Sequence, residues 1–325
     1  MSRTVELFAG PGGWGEGARI AGLSLDAEGI EISADAVATA VAAGHKRQLT
    51  DVWNATVEDY RDATGLIASP PCPTFAGSGK RTGLGADYQS VLDVWTGVGW
   101  GIDPADALAD LHVTDPRTSL LAVAGLWAMT MPNLDWIAFE QVPSVEYAWV
   151  DLAAELYSMG WASVDVLTLD AADFGVPSRR RRSYLVGHRV KAVNLQYLPA
   201  ATRSMAAALG WGPGERVNTR GARRTSGGNE FSADGPSWCL TGKARGWFRV
   251  SDGLRLTAQQ AGLLNGFRAD YPWSGSRSSQ FQQAADVVCP PIGALLLGAV
   301  HQRDVRDAVS RYMADLYDSP GASGA

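Results

Sequence analysis

The sequence contains few cysteines, few histidines and no metal-binding pattern. Of its 325 residues, 3 are cysteine and 4 are histidine. Cys72, Cys239 and Cys289 are odd in number and far apart, which argues against the disulfide framework of a small secreted domain. No cysteine–histidine spacing typical of zinc is present, so we expect no metal site. The cysteine content suits a reducing compartment, and we expect a cytoplasmic protein.

Long hydrophobic runs are also missing. The longest apolar stretches, 120–131 and 292–300, are shorter than the roughly 20 residues that cross a bilayer as a helix. The first residues, MSRTVELFAG, lead directly into a strand-like pattern and do not resemble a signal peptide. We therefore expect a protein without membrane association.

Positive charge is scarce overall but concentrated in one segment. The chain has 28 Lys and Arg against 34 Asp and Glu, a net charge of −6. Residues 178–249 hold 14 Lys and Arg and 3 acids, a balance of +11, so the remainder carries −17. A basic segment rich in glycine and arginine predicts a loop-built surface for phosphate groups. A solvated surface with isolated ion pairs is the simpler alternative.

Strand-like and helix-like segments alternate along most of the chain. Strand patterns occur at 3–8, 29–33, 65–69, 135–142, 162–170 and 182–187, and helical patterns at 34–44, 119–131, 145–160 and 254–267. This alternation predicts an α/β fold, in which a mostly parallel, Rossmann-like sheet is covered by helices on both faces. Ligands of such sheets bind at the carboxyl ends of the strands.

Two segments interrupt the alternation. Residues 84–116 contain several glycines, and we predict that they insert as a lid over the functional site. Residues 190–251 form the basic segment and predict a second, small irregular domain. The main domain then comprises 1–189 and 252–318, and we expect the tail 319–325 to be disordered.

A glycine-rich turn follows the first predicted strand. Gly10, Gly12 and Gly15 form G-x-G-x-x-G between a strand and a helix, and Glu31 lies in the next strand pattern. This context predicts a nucleoside cofactor, because glycines let the backbone approach the ligand and a strand-end carboxylate accepts hydrogen bonds from ribose hydroxyls. The pattern does not separate NAD from S-adenosylmethionine. Asp51 is a candidate for the adenine amino group, or alternatively a helix cap.

Cys72 follows two prolines after a predicted strand. Pro70 and Pro71 restrict the backbone, so the thiol is presented from a stiff turn where a strand ends. A thiolate in such a position is a candidate nucleophile. A buried structural cysteine is the alternative.

Five motifs in a fixed order resemble those of one enzyme family. The segments VELFAGPGGWGEG, SPPCPTFAGSGK, FEQV, FGVPSRRRRSYLVG and LRLTAQQAGLLNGF are similar to the motif set of DNA (cytosine-5)-methyltransferases of prokaryotic or phage type. With their separations they cover nearly the whole chain except the two irregular segments. The resemblance implies a domain that binds S-adenosylmethionine, a small target-recognition domain, and a cleft in which a cytosine is flipped out of duplex DNA.

The resemblance implies catalytic roles for four residues. Cys72 would add to cytosine C6, which makes C5 an enamine carbon able to accept a methyl group. Glu140 would hydrogen-bond or protonate N3, unless it only caps the next helix. Arg180 and Arg182 share one face of a strand and would contact the cytosine O2, the surroundings of the thiol or flanking phosphates. Their alternative is a simple phosphate clamp, and water suffices to remove the C5 proton.

The resemblance also implies two sets of binding residues. Those expected to contact S-adenosylmethionine are Phe8, Ala9, Gly10, Gly12, Gly13, Glu31, Ile32, Asp51, Val52, Pro70, Asp286 and Val287. Those expected to contact DNA are Ser78, Lys80, Arg81, Arg220, Arg223, Arg224, Lys243 and Arg245. Because the recognition segment is short, Trp95 or Trp100 of the long insertion is a further candidate for DNA contact.

The chain departs from the family pattern at several positions. Pro73 stands where the family usually has glutamine, Gln141 where it has asparagine, and Ser178 where it has glutamine. Ala285 and Asp286 replace a glycine and an asparagine near the amino-acid end of the cofactor. These changes affect loop geometry and cofactor affinity but leave the reacting groups in place.

Three alternatives stay open at this stage. The chain could be a nucleotide-binding oxidoreductase that shares only the glycine turn, a catalytically silent DNA-binding protein, or an enzyme that methylates RNA, as one branch of this family does. Our expectation is a monomeric enzyme of a bacterial cell or a phage-infected host that acts on double-stranded DNA. A cognate restriction enzyme or a further base-modifying enzyme would be its functional partner.

Overall fold

A seven-stranded sheet forms the centre of the computed structural model, which describes residues 3–71, 85–198, 200–220 and 229–318. Its strands are β1 (Arg3–Leu7), β2 (Asp26–Glu31), β3 (Lys46–Leu49), β4 (Gly65–Ala68), β5 (Trp136–Gln141), β6 (Ser163–Asp170) and β7 (Arg181–His188). Their order is β3-β2-β1-β4-β5-β7-β6. All neighbours are parallel except β7, which runs antiparallel to β5 and β6. The predicted α/β fold with a mostly parallel sheet is confirmed.

Helices cover both faces of this sheet. The helices are α1 (Gly13–Ile20), α2 (Ala34–Ala42), α3 (Ala86–Gly99), α4 (Pro104–Ala109), α5 (Ser119–Thr130), α6 (Glu146–Ser158), α7 (Met205–Ala208), α8 (Ala258–Leu264), α9 (Arg277–Asp286), α10 (Pro290–Val300) and α11 (Arg306–Tyr317). One hydrophobic cluster contains Leu66 of β4 together with α3, α5 and α6, and another contains Ile67 with α1, α10 and α11. Successive residues of β4 therefore face opposite cores, as expected for a strand buried on both sides.

The first helix of the insertion after the cysteine segment belongs to the core. In α3, Val91, Val94 and Trp95 are buried, and the Trp95 indole N–H donates to the Ala122 carbonyl at 3.1 Å. The indole lies against Gly125, where a Cβ would come within 2.1 Å of Nε1. Trp95 is thus unavailable to DNA, and that prediction is wrong. Trp100, by contrast, is 84% exposed, and its contact with DNA stays a prediction, as does the lid.

A second, smaller sheet organises the basic part of the chain. Its strands are β8 (Arg216–Asn218), β9 (Glu230–Ser232) and β10 (Phe248–Arg249), paired antiparallel in the order β10-β8-β9. A hydrophobic cluster joins this sheet to α7, α8 and α9 and ends at Val287, apart from Leu316 of α11. We call residues 205–287 the small unit. Its hydrophobic cluster includes α8 and α9, which follow residue 251 in the sequence, and the bounds 190–251 of a recognition domain stay a prediction.

One helical stretch meets the length and composition of a membrane span. It is Arg277–Val300, which comprises α9 and α10, and 94% of its most apolar window is buried inside the protein. A core helix passes the same test. In the sequence only residues 292–300 of this stretch form an apolar run, because α9 is rich in serine and glutamine.

Candidate active site

A cleft of about 1420 Å³ opens at the carboxyl edge of the sheet. It is bordered by the residues that follow β1, β2, β4 and β5 and by the start of the antiparallel strand β7. Another part of its wall comes from the small unit, namely residues 239–243, Arg245, Gln282, Gln283, Ala285, Asp286 and Val287. This location is where ligands bind in sheets of this kind.

Most of the predicted site residues that the structure describes line this one cleft. From the predicted cofactor set these are Phe8, Ala9, Gly10, Gly13, Glu31, Ile32, Asp51, Val52, Pro70, Asp286 and Val287. From the predicted catalytic and DNA sets they are Glu140, Arg180, Arg182, Lys243 and Arg245. Gly12 and Arg220 are described but do not line the cleft. Cys72, Ser78, Lys80, Arg81, Arg223 and Arg224 lie outside the described residues.

The turn after β1 has an uncommon backbone. Phe8, Gly10 and Gly12 all have positive φ, of 56°, 53° and 113°. Positive φ is unusual for a residue with a side chain, so Phe8 is held there by its surroundings. A Cβ at Gly12 would lie 2.5 Å from His45 Cδ2. Gly12 therefore packs against His45 and does not line the cleft, and its contact with a cofactor stays a prediction.

The Glu31 carboxylate is held by two backbone donors. The Gly10 N–H donates to Oε2 at 2.8 Å and the Ser33 N–H donates to Oε1 at 2.7 Å. Each oxygen keeps a further lone pair that can accept a hydroxyl hydrogen. The carboxylate is thus oriented before any ligand arrives.

Asp51 has the capping role that was its alternative interpretation. It accepts a hydrogen bond from the Trp53 N–H at 3.1 Å and so caps the short 3-10 helix Val52–Asn54. Because Asp51 also lines the cleft, the cap does not remove it from a ligand. The contact with an adenine amino group stays a prediction.

The glycine-turn wall of the cleft has the chemistry of an S-adenosylmethionine site. The described residues that line it between 8 and 14, 30 and 36, and 50 and 53 include the carboxylates of Glu31 and Asp51 but no lysine or arginine. Ile32 and Trp53 expose 68% and 49% of their surface, which offers apolar area to a purine. This donor set fits a nucleoside that carries a cationic sulfonium.

Glu140 lies at the end of β5 beside two guanidinium groups. Arg182 Nε is 3.0 Å and Arg180 Nη2 is 3.8 Å from Glu140 Oε1. The contact is an ion pair and not an aligned hydrogen bond, since no described residue donates a hydrogen bond to Oε1. Burial raises the pKa of Glu140 above its usual value, and the two arginines oppose that rise. Glu140 is thus a carboxyl whose protonated form is favoured more than in water.

The two arginines share one face, as predicted, but differ in what they can reach. Arg180 is 2% exposed, and its Nη1 donates to the Ala285 carbonyl at 2.5 Å. It is therefore too buried to contact a flanking phosphate, which was one of its three predicted partners. Arg182 is more open and lies 3.9 Å from Cys239 Sγ through its Nη1.

Gln141 and Cys239 are polar residues of this cleft wall for which no site role was predicted. Gln141 donates from Nε2 to the Pro70 carbonyl at 2.5 Å, and its Oε1 accepts the Val142 N–H at 2.6 Å. The residue that departs from the family pattern thus ties the prolines before Cys72 to the strand of Glu140. Cys239 also lines the cleft, and its surroundings in the sequence carried no signal of this position.

Sequence comparisons found one family model and a curated relative, both of methyltransferases. The family model of C-5 cytosine-specific DNA methylases matches residues 2–94. Type II methyltransferase M.AgeI of Thalassovita gelatinovora is 28% identical over 201 residues, which cover 57% of this chain and 39% of that protein. The matched part therefore spans about two fifths of the length of this curated relative.

Solved structures of similar shape cover 93% of this chain. An Entamoeba histolytica methyltransferase, EhMeth, has a TM-score of 0.65 at 14% identity, with 98% of its chain covered. A Spodoptera frugiperda DNMT2 mutant has a TM-score of 0.64 at 15% identity, with 100% covered. A putative DNA modification methyltransferase from an E. coli prophage has a TM-score of 0.61 at 15% identity, with 99% covered. At these identities the likeness establishes the fold alone.

Proposed function

We propose that this chain, whose N-terminal part matches the family model of C-5 cytosine-specific DNA methylases, methylates C5 of a cytosine flipped out of duplex DNA. The observation that carries the proposal is the buried Glu140 carboxyl with Arg180 and Arg182 in one cleft with the glycine turn. Pro71, the residue bonded to Cys72, lines the same cleft. The proposal therefore places thiol, acid and methyl donor around a single pocket.

Enzymes of this family use S-adenosylmethionine, which supplies an electrophilic methyl group when bound. In this chain Glu31 would accept hydrogen bonds from the ribose hydroxyls, and Asp51 would accept one from the adenine amino group. Phe8, Ile32 and Val52 supply apolar surface for the base. Both carboxylates also favour the positive charge of the sulfonium.

The reaction needs a nucleophile because C5 of an aromatic cytosine reacts poorly on its own. The Cys72 thiolate would form a bond to C6, and the electron pair of the C5–C6 double bond would then move toward N3. Glu140 would give its proton to N3, which leaves an enamine whose C5 can accept a methyl group. Loss of the C5 proton to water then expels the thiolate, and return of the N3 proton to Glu140 restores the neutral ring.

Burial and charge at Glu140 suit both halves of that proton transfer. Burial raises the pKa of Glu140 and so keeps a proton available for N3. Once the proton has moved, Arg182 at 3.0 Å and Arg180 at 3.8 Å stabilise the carboxylate.

Nucleic acid is the substrate class that the cleft supports best, and duplex DNA is the form that we propose. Lys243 and Arg245 belong to the basic segment and line the cleft on the side of the small unit, where they can meet phosphates beside the flipped base. A role in restriction–modification is in keeping with the curated relative, which is a type II methyltransferase.

The test compares methyl transfer to nucleic acids of one sequence library. Purified protein with methyl-tritiated S-adenosylmethionine is given randomised duplex DNA, single-stranded DNA or structured RNA, and the products are digested to nucleosides. We expect label in 5-methyl-deoxycytidine from duplex DNA. Label only in RNA cytidine would move the function to RNA. Cofactor binding without any transfer would support the silent DNA-binding alternative.

An NADH titration tests the oxidoreductase alternative separately. Because the proposed function assigns the glycine turn to S-adenosylmethionine, we expect no change in nicotinamide fluorescence at concentrations that saturate S-adenosylmethionine binding. Tight NADH binding together with absent S-adenosylmethionine binding would overturn the proposed function.

Replacing Glu31 with alanine should weaken cofactor binding. The change removes the acceptor of the ribose hydroxyls and frees the Gly10 N–H, so we expect the S-adenosylmethionine Kd to rise roughly 10- to 100-fold. Isothermal titration calorimetry measures the effect. Glu28→Ala is the matched control, because Glu28 lies on the same strand and does not line the cleft. Equal Kd values for both variants would contradict the assignment.

A further inference from the structure

A buried ion pair crosses three strands behind the glycine turn. In the sheet register Glu6 of β1 lies beside Gly29 of β2, and Gly29 lies beside Arg47 of β3. Arg47 Nη2 is 3.1 Å from Glu6 Oε2, and the two side chains are only 1% and 3% exposed. Arg47 therefore reaches over the intervening strand to pair with an acid two strands away.

Gly29 is what makes this crossing possible. A Cβ at Gly29 would lie 2.6 Å from Arg47 Nη1, 2.7 Å from Arg47 Cδ and 2.6 Å from the Cβ of Ala9. Contacts below 3.0 Å cannot be accommodated without movement, so a side chain there would displace either the guanidinium or the turn. Glycine is unfavourable inside a strand, and close approach of another group is a usual reason for it.

The guanidinium also binds the turn itself. Arg47 Nη2 donates to the Ala9 carbonyl and Arg47 Nε donates to the Gly10 carbonyl, both at 3.3 Å. The N–H of Gly10 is meanwhile bound by Glu31. The two faces of the Gly10 peptide region are thus held by opposite charges, with Glu31 in the cleft and Arg47 behind it.

We infer that the Glu6–Gly29–Arg47 row is a positioning device that sets the affinity for S-adenosylmethionine. Arg47 does not line the cleft, so it acts through the turn and not on the ligand. A buried ion pair is a poor source of stability compared with apolar residues, which leaves orientation of the turn as its specific contribution. The inference rests on the proposed function, because it assumes that the turn binds this cofactor.

The test removes the pair without leaving a buried charge. In Glu6→Gln/Arg47→Met both charges are gone, and the carbonyls of Ala9 and Gly10 lose their donor. We expect the S-adenosylmethionine Kd and KM to rise about tenfold or more, with kcat at saturating cofactor within about twofold of wild type. Affinity for duplex DNA without cofactor should not change. If the pair served stability alone, the cofactor KM would not rise while kcat stayed unchanged.

Three further variants keep the inference open to refutation. Arg47→Lys keeps the charge beside Glu6 but lacks the planar fork, so we expect an intermediate rise in Kd of about threefold. Gly29→Ala removes no charge, yet it should raise KM because its Cβ displaces the guanidinium. Lys46→Met is the matched control, since Lys46 is on the same strand and forms an exposed pair with Asp26.

The outcomes separate this inference from the proposed function. If wild-type protein does not bind S-adenosylmethionine, the proposed function fails. If wild type binds it and a folded double variant binds it equally well, the row is not a positioning device while the function stands. If the double variant does not fold, Arg47→Lys decides, and a Kd equal to that of Lys46→Met refutes the inference.

Discussion

Cys72→Ser is expected to abolish methyl transfer, with kcat lower by at least about 10⁴-fold. A serine hydroxyl is a far weaker nucleophile than a thiolate at neutral pH, so C6 would not be attacked and C5 would not be activated. Binding does not need the sulfur. The Kd values for S-adenosylmethionine and duplex DNA should therefore remain within about threefold of wild type, measured by calorimetry and by fluorescence anisotropy.

The other two cysteines provide the controls. Cys239→Ser is the stringent one, because Cys239 lines the cleft and lies 3.9 Å from Arg182. Cys289→Ser tests a buried thiol at the start of α10, whose pKa burial raises to about 12. Both variants should retain activity. If Cys239→Ser loses turnover while Cys72→Ser keeps it, the nucleophile is Cys239 and not Cys72.

Glu140→Gln is expected to lower kcat by about 10²- to 10³-fold. The amide can still hydrogen-bond N3, but it has no acidic proton to give as negative charge develops in the ring. The loss should appear in the chemical step measured under single-turnover conditions, with little change in the Kd of cofactor or DNA. Glu146→Gln, an exposed acid at the start of α6 that does not line the cleft, serves as the control.

The direction of the Glu140 pKa shift predicts how the reaction rate of the wild type depends on pH. Burial raises the pKa of Glu140, so its protonated form persists to higher pH than in an exposed glutamate. The wild-type single-turnover rate should fall as pH rises through this raised pKa. The pKa of Glu140 is higher in the folded than in the unfolded protein. Its contribution to the free energy of unfolding is therefore present at low pH and is lost as the pH rises through the folded pKa. In Glu140→Gln both dependences should disappear, and an unchanged profile would assign the titration elsewhere.

The sequence predicted the sheet where strands carry a clear apolar pattern. The buried runs GLIA of β4 and WIAFEQ of β5 lie in segments recognisable as strands. Strand β3, KRQL, was missed because it is a polar edge strand with mostly exposed residues and no alternation. The antiparallel direction of β7 was also unpredictable, because a local pattern says nothing about direction.

The sequence located the site through its strand ends, but not through long-range contacts. Glu31 and Glu140 close recognisable strands, so their presence at one edge follows from a parallel sheet. Arg47 gave no signal of its own, although a glycine inside β2 was a clue that another group approaches closely. Trp95 was misjudged because composition was weighed above spacing. Val91, Val94 and Trp95 follow the i, i+3, i+4 pattern of a buried helix face.

The measurement that tests the central claim most directly is covalent trapping on 5-fluorocytosine. Protein and S-adenosylmethionine are incubated with a randomised duplex in which 5-fluorocytosine replaces cytosine, and adducts are mapped by mass spectrometry. Fluorine at C5 cannot leave as a proton does, so the bond to C6 should persist. We predict a stable protein–DNA adduct on Cys72 that is absent in Cys72→Ser. An adduct on Cys239, or none while cytosine duplexes are methylated, would contradict the account.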